Sequence, residues 1–149
     1  MSSLHVLCKV ADGLYAVPAN QVLQMETFTG ATRVPGAQPH VAGLVQIRSR
    51  VIPVVDLRMR FGLPTIEPTL DSRVMVVQCD ARTVGLLADS VREVLMIDPA
   101  AFKAPPDILK QQAAGFVEAV AQLGDRIIML MDSKKVIGEE VLHGDEASA

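Results

Sequence analysis

The sequence has no tryptophan, one tyrosine and four phenylalanines, and its formal net charge is −3. A nucleic-acid surface needs a basic face and stacking aromatics, so both shortages exclude that class of partner. Half of the residues are hydrophobic, yet the longest apolar stretches, such as Ile127 to Met131, fall far short of the roughly 18 residues that span a bilayer. No basic leader followed by an apolar region opens the chain. A soluble, cytoplasmic protein without direct membrane insertion is expected. The two cysteines, Cys8 and Cys79, lack CxxC spacing and lie in apolar, strand-like runs, which predicts buried reduced thiols.

Catalytic constellations are scarce as well. His5, His40 and His143 show no metal-ligand spacing, Ser49 and Ser90 lack a nucleophile-elbow context, and no Gly-rich strand-to-helix loop offers a phosphate cradle. These observations predict no enzyme, no cofactor and no metal.

What the chain does have is a repeat. Gly43 to Asp56 aligns without a gap with Ala119 to Asp132 at a constant offset of 76 positions, matching Gln46 with Gln122, Arg50 with Arg126, Ile52 with Ile128 and Asp56 with Asp132. The register runs on to Gly62 and Gly138. Upstream, Ala19-Asn20-Gln21-Val22 answers Ala88-Asp89-Ser90-Val91 at an offset of 69. Half-units of about 60–70 residues are near the lower limit for an independent core, so they should pack on each other. One domain, 1–149, is expected, with subdomains at about 14–62 and 72–138 and the first strand, 4–10, joining either. Residues present in both copies read as architecture; Asp56 and Asp132 each open a short helical turn and read as N-caps. Arg48, which is Gly124 in the second copy, is the better candidate for function.

Leu4, Val6, Cys8 and Val10 alternate with His5 and Lys9, the period of a half-buried strand. Asp12-Gly13 marks a hairpin turn, with Leu14 to Val17 returning and Val22 to Met25 extending that strand. Gly43 to Ile47 and Val51 to Val55 flank a second tight turn, and Pro53 places the latter at an edge or bulge. The second half repeats the scheme through Val74 to Cys79, Thr83 to Leu87, Val91 to Ile97, Phe116 to Leu123 and Arg126 to Met131. Asp98 to Lys110 is expected as a loop and His143 to Ala149 as a frayed tail. Many short strands in two similar sets favour a pair of small barrels.

From Val41 through Gly43-Leu44-Val45-Gln46-Ile47-Arg48-Ser49-Arg50-Val51-Ile52-Pro53-Val54-Val55-Asp56-Leu57-Arg58-Met59-Arg60-Phe61 to Gly62, the chain resembles the CheW family of chemotaxis coupling proteins. That family's signature is close to G-V-x-N-L-R-G-x-V-I-P-V-x-D-L-R-x-R-F-G. Tyr15-Ala16-Val17-Pro18, Val84 to Val91 with Glu93-Val94-Leu95, and Leu123 to Arg126 also match, so the similarity covers about Leu4 to Leu142.

The resemblance implies an all-β fold of two side-by-side SH3-like five-stranded β-barrels with short helical turns. It also implies a non-catalytic adaptor in chemotaxis or another chemosensory pathway. Its expected partners are the regulatory domain of a CheA-type histidine kinase, at the barrel ends, and the cytoplasmic tip of a chemoreceptor, in a groove between the barrels. Carried over by position, that groove would include Val22, Gln24, Gly43, Arg48, Val74, Gly85, Val91 and Val94.

The chain departs from the family at three positions. Ser49 replaces a glycine that often has positive φ, Ala119 replaces another glycine, and Gln24 stands where a glutamate would pair with the signature arginine. A divergent module serving a response regulator, a diguanylate cyclase or a pilus or surface-motility pathway is the alternative these departures leave open.

Overall fold

The structure is a computed structural model that describes residues 2–107 and 115–138. The strands in chain order are β1 (Ser3–Val10), β2 (Gly13–Pro18), β3 (Val22–Thr27), β4 (Val41–Ile47) and β5 (Arg50–Asp56), then, after a short helix α1 (Leu57–Arg60), β6 (Arg73–Cys79), β7 (Arg82–Ala88), β8 (Ser90–Ile97), β9 (Phe102–Lys103), β10 (Val117–Leu123) and β11 (Arg126–Met131). A second helical segment, 133–138, follows β11. The expected tail at His143 to Ala149 and the end of the expected loop at Lys110 lie outside the described residues.

The strands form two sheets, ordered β8-β1-β2-β11-β10-β9 and β3-β6-β7-β5-β4. Both curl toward closure. β9 follows β8 after one turn of 3-10 helix at Pro99–Ala101 and pairs with β10, so the first sheet returns on itself. In the second, the chain leaving β3 comes back at Thr32 to bridge Leu44 of β4, with N···O distances of 2.8 and 2.9 Å. Lys103 pairs with Val120, and Val120 is the repeat equivalent of Leu44, so the closing contacts are themselves duplicated.

Sheet membership corrects the expected division at 14–62 and 72–138. The hairpin β1-β2 sits with β8, β10 and β11 of the second half, and β6-β7 sits with β3, β4 and β5 of the first. Each barrel is therefore one half's hairpin completed by the other half's last strands. The exchange occurs where the chain passes from β2 to β3 and from β7 to β8, so Val22 to Met25 crosses to the other barrel rather than extending β2.

The same exchange explains β1. Its residues from His5 to Cys8 are all buried, with Leu7 in its own barrel's core and Val6, Cys8 and Val10 in the core shared between barrels. β6 divides likewise, Val74 and Val76 pointing into its barrel and Met75, Val77 and Cys79 into the shared core. Strands covered on both faces read as continuous apolar runs, so the half-buried alternation expected of β1 does not hold and Leu4 is left exposed. Cys8 and Cys79 are free thiols in the shared core, and burial, helped by the charge of Asp89, pushes Cys8 up to about 12.

Pro53 does not mark an edge either, because β5 lies between β4 and β7. Proline is tolerated there for a local reason. Its opposite residue, Leu44, turns its own polar groups away to Thr32, and the ladder to β7 begins only at Val54. Phe102 and Lys103, expected within a loop, form the short strand β9.

Candidate functional site

Asp56 and Asp132 occupy equivalent positions, down to single hydrogen bonds. Asp56 N–H donates to the carbonyl of His40 and Asp132 N–H to that of Phe116, each at 2.8 Å. The Asp56 carboxylate accepts from the amides of Arg58 and Met59, and that of Asp132 accepts from Lys135 N–H. Both aspartates are helix caps, as their repetition predicted. His5 and His40 are buried, His5 against the Ser3 carbonyl and Phe102, and His40 beside the Arg60 guanidinium. Among the described residues no three His, Cys, Asp or Glu side chains gather as metal ligands, and no helix is long and apolar enough to cross a membrane.

The eight candidate positions separate into three groups. Gly43, Val74 and Gly85 belong to the interior of the second barrel. A Cβ on Gly85 would stand 2.6 Å from Val74 Cγ1, and one on Gly43, at φ 142°, would collide with the Thr32 carbonyl. Val74 itself is buried. Val22 and Val91, equivalent at the two crossings, pack partly buried against the shared core. Gln24, Arg48 and Val94 reach the surface on three different elements, β3, the β4-β5 turn and β8.

Sequence reasoning missed what lies around Val94. Val94 pairs with buried Val6, so it continues the face that β1 turns toward the other barrel. Met96, two residues on, pairs with Leu4, and all three of Leu4, Val94 and Met96 are exposed. On β3 the repeat equivalent of Val94 is Met25, which pairs with Met75 of the shared core and is likewise exposed beside Leu23. Each barrel thus carries an exposed apolar margin where the shared core meets solvent. The signal was present as same-face spacing in β8, but recognising it requires knowing that β8 pairs with β1.

Arg48 carries the positive φ of the β4-β5 turn, at 52°, and Gly124 has 65° in the equivalent β10-β11 turn. The left-handed residue is therefore Arg48 itself; Ser49 is not among the positive-φ residues. Gln24 does not face Arg48 with a hydrogen bond. It donates to Glu26 at 3.1 Å, and an ion pair appears in the other barrel instead, between Glu93 and Arg126, the equivalents of Gln24 and Arg50. Ala119, the third departure, sits at a register shift in β10 that matches the one at Gly43 in β4.

Comparison with known proteins decides the family. A CheW-like domain matches residues 4–141. The chain belongs to the CheW-like family. It is 31% identical over 132 residues to the chemotaxis protein CheW of Rhizobium meliloti, covering 89% of this chain and 85% of the relative. It is 28% identical over 126 residues to CheW of Bacillus subtilis, covering 85% and 81%. Among solved structures, the scaffolding protein CheW of Thermoanaerobacter tengcongensis superposes with a TM-score of 0.84 at 28% identity, over 92% of this chain and 93% of that one.

The CheW-like fold gives one more arrangement a role. Asp89, in the link from β7 to β8, accepts from Arg58 Nη2 at 2.6 Å and Nε at 2.9 Å, and from the Ala11 amide at 2.9 Å. It ties α1 of one barrel to the β1-β2 turn of the other. Burial alone would raise its pKa, but the hydrogen bonds from Arg58 and Ala11, with the charges of Arg58 and Lys9, hold it below the ordinary aspartate range.

Proposed function

We propose that this chain is a non-catalytic scaffolding adaptor of a chemotaxis or chemosensory pathway, acting in the cytoplasm by joining a chemoreceptor tip to the regulatory domain of a CheA-type histidine kinase. The observation that supports this best, beside family membership, is the pair of quasi-equivalent apolar margins, Met25 with Leu23 on one barrel and Val94 with Met96 and Leu4 on the other. Apolar patches left at the edge of a core are where partner proteins dock. The margin around Val94 is the one that the receptor reading uses.

On this reading the receptor tip lies along the seam over Val91 and Val94, and the kinase domain meets a barrel end. Arg48 fixes register, since its planar fork orients a carboxylate in a way that lysine does not reproduce. Coupling is then geometric, with signal passing if one partner's binding biases the arrangement of the other.

The test is to measure affinities of purified receptor-tip and kinase-domain fragments for the full chain and for Val94→Asp. The expected result is at least tenfold weaker receptor binding, about 1.4 kcal/mol, with kinase binding within twofold. Failure to bind either fragment, or capture of a response regulator or diguanylate cyclase in their place, would overturn the reading.

A further inference from the structure

The two barrels close differently. In the first, β9 pairs with β10 through Lys103 with Val120 and Phe102 with Ala121, and Phe102 packs against that barrel's core. In the second, Thr32 alone bridges β4, at Leu44. Since Lys103 corresponds to Thr32, Ala31 stands where Phe102 stands in the other copy. An open depression of about 450 Å³ lies beside Ala31, with Phe28 and Val74 at its base and a more polar than apolar surface supplied by Thr27, Thr29, Thr32 and Gln46.

Backbone is exposed at the same place. Leu44 turns both N–H and C=O toward Thr32, so Gln46, two residues on in a regular stretch of ladder, turns its own the same way. No described strand lies there to meet them. Gln46 is exposed. Arg33 follows Thr32, and Arg48 and Arg50 follow Ile47; among the described residues none of the three side chains makes a hydrogen bond or ion pair. Glu26 is the one acidic residue lining the depression.

We infer that the edge of β4 at Gln46 takes an extended acidic segment of another protein as an added strand, with one of its side chains over the depression beside Ala31 and carboxylates against Arg33, Arg48 and Arg50. A sheet edge with unmet donors and acceptors pairs with a peptide backbone, and a pocket beside it reads alternate side chains. The three arginines select an acidic partner, and they oppose pairing with the same edge of a second copy, where like charges would meet. This surface is separate from the two apolar margins and shares only Arg48 with the coupling role; the inference goes beyond that role, and its test varies Arg33 and Arg50, which the role does not use.

The probe is a labelled peptide, Asp-Val-Glu-Phe-Glu-Val-Asp with blocked ends, titrated against the full chain by fluorescence anisotropy, with hydrogen exchange at the Gln46 amide as a second readout. Saturable binding is expected, together with slower exchange at Gln46. Ala31→Phe, which copies the closure of the other barrel, should weaken binding at least tenfold. So should N-methylation of the peptide at its phenylalanine, a change that leaves the protein untouched. Arg33→Glu with Arg50→Glu, both at exposed positions, should weaken it similarly with thermal unfolding unchanged. Absence of saturable binding, equal affinity for the N-methylated peptide, or unaltered exchange at Gln46 would overturn the inference.

Discussion

Arg48 shows how one residue can serve recognition against its own backbone. A non-glycine residue in the left-handed region costs about 1–2 kcal/mol, and the equivalent turn avoids that cost with Gly124. Ala11 and Asp80 take the same conformation in the β1-β2 and β6-β7 turns, so the fold tolerates the strain; what sets Arg48 apart is its exposed guanidinium in a turn whose repeat equivalent is glycine. Arg48→Gly should therefore stabilise the chain by about 1 kcal/mol, raising Tm by about 2–4 °C. Arg48→Ala, which keeps a Cβ at the same φ, should stay within about 0.5 kcal/mol of the parent. Both should lose more than about 1 kcal/mol of receptor-tip affinity if the arginine anchors that interface; unchanged affinity in both variants would remove it from the site. Gly85 should behave in the opposite way. Gly85→Ala forces a Cβ against Val74 and should cost about 1–3 kcal/mol of stability, read from denaturant midpoints, while the folded fraction binds as before. That Arg48 stands alone was legible in the sequence as a mismatch between repeats. That it carries positive φ was legible only through Gly124, because the family pattern pointed one residue later, to Ser49.

Strands and caps were readable because their periodicity and turn residues are local. Errors arose where an element answers to something distant. β1 looked half-buried but is covered by two barrels, and Pro53 looked like an edge or bulge residue but stands inside a sheet, in regular register opposite a residue whose bonds go elsewhere. Asp56→Ala should cost about 0.5–1 kcal/mol through loss of the α1 cap, a purely local effect. The Asp89 clamp belongs to this scale because it joins α1, the β1-β2 turn and the β7-β8 link. Its folded pKa is lowered, so its contribution is fully present above the unfolded value near 3.9 and fades as pH falls through the lower folded value. Asp89→Asn removes the charge from a partly buried, bidentate contact and should cost about 1.5–3 kcal/mol at pH 7. The difference from the parent should shrink below pH 4. A penalty that stayed constant from pH 7 to pH 3 would show that Asp89 acts by packing and not by charge.

At the scale of the whole molecule, the repeat was legible in the sequence but the exchange of hairpins was not, because no local pattern records which barrel a strand will join. The link lengths do record it once the pairing is known. β8 runs antiparallel to β1, as β3 does to β6. If the second half closed on itself, β8 would lie beside β6, parallel to β7. It would then have to begin at the far end of β7, a strand length of about 20 Å from where β7 stops. From Ala88 to Ser90 the chain reaches only about 7 Å, so self-closure is excluded and β8 must continue into the other barrel. The first half meets the same obstacle, since Ala19–Gln21 between β2 and β3 spans at most about 14 Å. Cutting the chain within the exposed Pro64 to Leu70 link should therefore give fragments that do not fold as monomers, although each holds a full set of strands. Mixed in equal amounts, they should recover the native circular dichroism spectrum and one cooperative melt as a heterodimer, with stability that depends on concentration. Sedimentation and thermal melts of the separate fragments decide the matter. A single fragment that unfolds cooperatively while monomeric would show that a half can close alone, and the exchanged pairing would then be wrong.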